Sequence, residues 1–333
     1  MAAPVQSFST GPALAVPLAN PFGVQPAPDG SLVIASFDHH AIYRLAADRQ
    51  TIARIAGTGS AGALGTSGAS ALEVQLNHPH EVQVLDNGDI LVADTSNHRV
   101  GRISAKDGTW TTIVGTGQPG FAGDGGPASR AQLDQAYSIA VDGNNLWICD
   151  LGNHRIRHVD LETMLIGTVC GTGQRALPRD GAQAQGQPLA GPRSLAVDAD
   201  NLWIVLREGN SVWRIDRASG HIFHVAGTGA QGMSGDGGPA TEATLRGPKG
   251  IAVSPGDQKL YVADTENHAI RCVDLTTGRI STAINRQGIP GFNGDGPAVA
   301  TRQLRRPHGV CVLPDGSLLI GDSENHRLRM AIP

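Results

Sequence analysis

The stretch LVADTSNHRV at residues 91–100 returns as LWICDLGNHRI at 146–156, LYVADTENHAI at 260–270 and LLIGDSENHRL at 318–328. A weaker copy is LVIASFDHHAI at 32–42, and a sixth, LWIVLREGNSV at 202–212, reads as carrying one extra residue in its turn. The anchoring carboxylates are Asp94, Asp150, Asp264 and Asp322, spaced 56, 114 and 58 apart, and 114 is two units of 57. Self-similarity at such a period marks a repeat architecture.

A second anchor precedes each copy: NPFGVQP, HPHEVQV, QAYSIAV, GPRSLAV, GPKGIAV and RPHGVCV. Its variable third residue is Phe22, His80, Tyr137, Arg193, Lys249 and His308, at gaps of 58, 57, 56, 56 and 59. Six units therefore begin near residues 20, 78, 135, 191, 247 and 306 and fill residues 1–333 as one domain. Each reads as four short strands rich in branched residues, parted by turn signals such as PDGS, ENH, TTG and GTG. Four antiparallel strands repeated six times predict an all-β, six-bladed propeller. The sixth unit stops after its third strand, at RLRMAIP. Residues 4–12 have no other role, so they are expected to supply an N-terminal strand closing the last blade.

Composition narrows the class. Glycine contributes 44 residues and proline 20, and only 17 % are charged, which excludes helical bundles and coiled coils. A hydrophobic content of 40 % is enough for a core and excludes wholesale disorder. A net charge of −4 with no Lys/Arg run gives no footing for a nucleic-acid backbone. No window approaches the ~20 apolar residues of a membrane span. Cys149, Cys170, Cys272 and Cys311 form no CxxC pair and read as reduced core thiols. With no basic n-region at the start, a cytoplasmic location is expected.

The D-x-x-N-H-R-I pattern, preceded by P-x-G-I-A-V, resembles the NHL repeat, and the resemblance covers essentially the whole chain. It implies an NHL-type propeller. It does not imply one function, because such propellers include enzymes, protein-binding platforms and RNA-binding modules.

The internal repeat separates structural residues from functional ones. Asn97, Asn153, Asn267 and Asn325, each followed by a histidine, recur with the Asp and so serve the blade: Asn suits the tight turn, and the His is expected to bond toward the neighbouring blade. In the connections GFAGDGGPASRAQL (120–133), GMSGDGGPATEATL (232–245) and GFNGDGPAVATRQL (291–304), one carboxylate each, Asp124, Asp236 and Asp295, is too few for Ca²⁺. They read as turns entering a short helix.

The position that varies is the ring Phe22, His80, Tyr137, Arg193, Lys249 and His308. Each opens an innermost strand, at the channel mouth on the face of the long loops. His80, His308 and Tyr137 are the candidate acid/base groups, and Arg193, Lys249, Phe22 and Arg207 the candidate substrate-binding ones. Blade 4 departs elsewhere: Leu206 stands for the Asp and Ser211 for the His, with Arg207 and Glu208 in the loop on the same face as Arg193.

The mouth is also similar to that of the peptidylglycine amidating lyases, where the resemblance implies a zinc held by histidines on alternate blades. His80 and His308 match two of those places. Arg193 occupies the third and cannot ligate zinc. The expectation is a metal-independent small-molecule enzyme, a lyase, hydrolase or isomerase acting on an anionic or carbonyl-containing substrate, with no cofactor. Two rivals stay open: a non-catalytic scaffold for a protein or peptide partner, and a Zn-dependent lyase holding zinc through His80 and His308.

Overall fold

The computed structural model describes residues 10–13, 16, 18–254, 256, 258–296 and 298–332. It is an all-β, six-bladed β-propeller. The innermost strands are Pro21–Pro26, Pro79–Val84, Ala136–Asp142, Pro192–Val197, Gly250–Ser254 and Gly309–Val312, and each blade runs outward from there by antiparallel pairing. Blades 2, 3 and 5 have four strands. Blade 4 gains a two-residue fifth, Ala182–Gln183, on the edge of His221–Ala226.

The closure differs from the sequence expectation. Thr10–Pro12 pairs with Thr51–Ala56, the fourth strand of blade 1, and does not join the last blade. Blade 6 has three strands among the described residues. Val16 and Leu18 are buried with Tyr43 and Ile52 of blade 1 and Cys311 and Leu319 of blade 6. That anchorage in the wedge brings the short segment before it to the outer edge of blade 1. Residues 4–9 of the expected latch lie outside the described residues.

The core is correspondingly divided. Six apolar clusters each fill the wedge between two successive blades, as Val92 and Trp110 of blade 2 do with Val33 and Ile42 of blade 1. The repeated sequence motifs hold these seams. Asp94 accepts from Asn77 N (2.7 Å), Asn97 Nδ2 (2.8 Å) and Arg99 Nε (2.8 Å), and Asp150, Asp264 and Asp322 repeat the pattern. The Asn side chains donate onward to Gly62 O, Gly120 O, Gly232 O and Gly291 O, tying down the long loops. Asp124, Asp236 and Asp295 are paired with the deeply buried Arg157, Arg271 and Arg329.

The histidine after the Asn adopts left-handed backbone, at φ +52° for His98 and +57° for His268. Its Nδ1 accepts from a backbone N–H of the next blade: His40 from His78 N, His98 from Gln135 N, His268 from Arg306 N and His326 from Asn20 N, at 3.1–3.3 Å. His154 is the exception, its Nδ1 having no protein partner. In blade 4 the same place is held by Asn210, whose Oδ1 accepts from Gly247 N at 2.9 Å. This corrects the reading of that blade. Leu206 pairs with Ser211 as Asp94 pairs with Arg99, so the turn has no extra residue and Asn210, not Ser211, replaces the His.

Blade 6 meets blade 1 through these same devices. Ser323 Oγ donates to Pro21 O at 2.8 Å, as Thr265 Oγ1 does to Pro307 O at 2.7 Å. Gly309 lets the strands approach: a Cβ there would lie 1.8 Å from Phe22 O.

Candidate functional site

Each mouth residue follows a proline or alanine and, before that, a residue with left-handed backbone: Asn20, His78, Gln135, Gly191, Gly247 and Arg306, at φ between +45° and +70°. This corner turns the chain from the seam into the inner strand and aims the third side chain at the axis. The geometry thus follows from the repeat, while the chemistry is free to vary.

The six side chains meet. Phe22 stacks on His308 with ring centroids 4.0 Å apart and lies 4.7 Å from His80. His80 lies 3.6 Å from Tyr137, and the Arg193 guanidinium sits 4.2 Å over the Tyr137 ring. Lys249 Nζ is 2.9 Å from His308 Nε2. They fill the mouth as a plug: Phe22, His80, Tyr137, Lys249 and His308 are all buried. The void against Phe22, His80, Lys249 and His308 is about 30 Å³, room for one or two waters. Below it Glu81 projects from the next position inward, and burial pushes its carboxyl up to about 8.

A charged tier caps the plug. Arg306 donates to both carboxylate oxygens of Glu266 (Nε 3.0 Å, Nη2 2.7 Å) and to Glu324 (2.7 Å). Arg207 pairs with Glu208 at 2.8 Å and Glu266 at 3.7 Å, Arg193 with Glu208 at 3.9 Å, and Lys249 with Glu266 at 3.5 Å. Sequence reasoning passed over Glu266, Glu324 and Arg306. Its signal was present: Glu208, Glu266 and Glu324 occupy one column of the repeat, the second turn residue, in three successive blades.

Burial shapes the acid/base character. It drives His80 and His308 well below the usual imidazole range, reinforced by Arg193 and Lys249 for the first and by Lys249 and His80 for the second. Burial, with Arg306, brings Lys249 down to about 7 against the opposing pull of Glu266. Burial raises Tyr137. His308 Nδ1 lies 3.0 Å from Arg306 O, which fixes the proton there and leaves Nε2 as an acceptor toward Lys249. His80 Nδ1 and Nε2, Arg193 Nε, Arg207 Nε and Glu208 Oε2 are buried without a protein hydrogen-bond partner.

Both nitrogens of His308 are engaged, and the permanent cation of Arg193 stands at the third place. Among the described residues no three His, Cys, Asp or Glu side chains are grouped to hold a metal. A larger cavity, about 1040 Å³, opens between blades 4 and 5 at the far end of the strands. Its polar groups serve one another, with Trp203 Nε1 donating to Asp198 (2.8 Å) and Arg214 to Asn201 (2.7 Å). Five of the ten buried side-chain polar atoms without a protein partner among the described residues gather at the mouth, the others being scattered singly, so the mouth is the candidate site. No helix among the described residues is long and apolar enough to cross a membrane.

Comparison with known proteins agrees with the repeat. The NHL repeat matches residues 76–103, 245–273 and 304–329. NHL repeat-containing protein 2 of Gallus gallus is 25 % identical over 283 residues, which are 77 % of this chain and 38 % of that protein. The chain thus spans less than two fifths of that relative. Among solved structures, one from Bacteroides thetaiotaomicron described as of unknown function superposes with a TM-score of 0.70 at 15 % identity, over 97 % of this chain and 71 % of the other. Virginiamycin B lyase of Staphylococcus aureus gives 0.53 at 15 % identity over 98 % and 88 %. At such identities these likenesses show the fold alone.

Proposed function

Because the chain belongs to the NHL-repeat β-propeller family, we propose that its blade-to-blade scaffold exists to present the channel mouth, and that the mouth is an acid/base centre for a small anionic or carbonyl-containing substrate. The observation that carries this reading is the pair of buried guanidinium Nε–H groups without protein partners, on Arg193 and Arg207, whose charges act on Lys249. Buried polar groups in folded proteins are nearly always paired, so a cluster of orphans marks where a polar ligand docks. Perturbed titratable groups gather at functional sites for the same reason. The superposable virginiamycin B lyase adds that a propeller of this shape can carry lyase chemistry.

The division of labour follows from access. His80 is packed between Phe22 and Tyr137, so it positions Tyr137 and does not itself meet substrate. Lys249 and His308 form the proton-transferring pair, oriented by the Arg306 carbonyl. Arg193 and Arg207 offer their unpartnered Nε–H groups to a carboxylate or a developing oxyanion. Such a ligand sits on the charged tier, because the plug beneath leaves only about 30 Å³. That filled mouth is also what favours the second reading, a binding platform in which the tier contacts a peptide.

A thermal-shift and turnover screen against small carboxylates, lactones and esters decides between them. The enzyme reading expects a hit that Arg193→Gln weakens at least about tenfold, the scale of a lost charge-assisted hydrogen bond. It expects His308→Asn to remove turnover while binding persists. Full activity in both variants, or no small-molecule hit at all, overturns it.

A further inference from the structure

Resting on the mouth as the small-molecule site, we propose that Lys249 is a covalent centre which forms an imine with the carbonyl of a small 2-oxo acid. Three observations converge. Lys249 Nζ lies 2.9 Å from the acceptor nitrogen of His308, whose other nitrogen is held by Arg306 O. Two guanidinium Nε–H groups, on Arg193 and Arg207, are buried beside it without acceptors. Glu266, at 3.5 Å from Nζ, is held by both Arg306 and Arg207, so it is not committed to the lysine alone. A donor pair for a carboxylate thus stands next to an amine with a base behind it. A 2-oxo acid carries the matching groups on adjacent carbons.

The step balances without a further reactant. The Lys249 ammonium passes one proton to His308 Nε2. The freed amine attacks the carbonyl carbon, the C–O π electrons move to oxygen, and the nitrogen proton follows to give a carbinolamine. His308 returns its proton to the hydroxyl, water leaves, and the nitrogen lone pair closes the C=N bond. One water is released and nothing is oxidised or reduced. Lys249 titrates near 7, so much of it is free amine at neutral pH, whereas an ordinary lysine is about 10³-fold less deprotonated there.

The sequence makes the test clean, because its only other lysines are Lys106 and Lys259. The full chain is incubated at pH 7 with glyoxylate and sodium cyanoborohydride, then read by intact mass and peptide mapping. Among the lysines the expected result is one adduct, on Lys249, forming at least about tenfold faster than on Lys106 or Lys259, the conservative end of the deprotonation advantage, while the α-amine, which titrates at about 8 in any chain, is labelled too and is scored separately by the peptide map. Lys249→Arg should abolish it, and propionaldehyde, lacking the carboxylate, should label Lys249 at least about tenfold more slowly. Equal labelling of the three lysines, no adduct on Lys249, or no preference for the acid overturns the proposal. The failures separate: a glyoxylate-induced thermal shift without trapping sinks the imine and leaves the site, whereas neither shift nor trapping sinks both.

Discussion

His268 shows how one side chain can decide a seam. It accepts from Arg306 N across blades 5 and 6, and burial holds its imidazole below the usual value of 6.5. His268→Ala leaves that N–H unpaired and should cost about 1–3 kcal/mol in chemical denaturation. His268→Asn should recover most of the loss, because Asn210 already performs the task between blades 4 and 5. The sign of the pH dependence follows. The unfolded chain protonates these histidines near 6.5 while the folded chain resists, so their contribution is complete above that pH and falls away as the pH drops below it. His40, also lowered by burial, behaves alike. The melting temperature should decline from pH 7.5 to 5.5, and less so in His268→Asn. A flat profile would contradict the seam role. His154, lacking a partner at Nδ1, should give the mildest alanine phenotype.

At the scale of elements, the long loops are held from beneath. Arg271, fully buried on the third strand of blade 5, reaches Asp264 (3.5 Å) and Asp236 of the GDGGPA loop (2.9 Å), and stands under the carbonyls of Ser234 and Thr244. Asp264 is pushed up to about 6 by burial, so it depends on this partner. Arg271→Ala should cost about 3–5 kcal/mol, as removal of one member of a buried ion pair does. A double variant with Asp264→Asn should lose less than the sum of the two single changes. The four repeating strands and the blade count were legible in the sequence, because strand periodicity and turn residues recur six times, whereas the blade 4 turn was misaligned by one residue because Asn210 stands where the other blades carry the His. The N-terminal strand was not: only its length was known, and the docking of Val16 and Leu18 into the wedge decided its partner. The mouth ring was legible as a column of the repeat. That it packs into a plug was not, because the contact of Phe22 with His308 depends on how steeply six blades converge.

For the whole molecule, stability is distributed over six wedges and not lodged in one core. The buried thiols report on them separately. Cys149 and Cys170 belong to the wedge of blades 3 and 4, and Cys311 to that of blades 6 and 1. Burial raises Cys149 strongly and brings Cys170 and Cys311 to about 12, so none is a ready nucleophile in the folded state. Pulsed thiol labelling through a denaturant series should leave these three unmodified until their own wedge opens. Simultaneous labelling would show one cooperative unit; modification of Cys311 ahead of the other two would make the blade 6–1 seam the weakest.

The seam between blades 6 and 1 uses the same serine or threonine, the same histidine acceptor and the same glycine approach as the seams between consecutive blades. The ring therefore has no chemically privileged origin. Cutting the backbone within the connection at 118–120 and bridging blade 6 to blade 1 with a flexible linker should yield a circular permutant that still closes, since every seam keeps both its halves. For the same reason, what fixes the number of blades at six is the wedge angle, and not any residue that recognises a last partner.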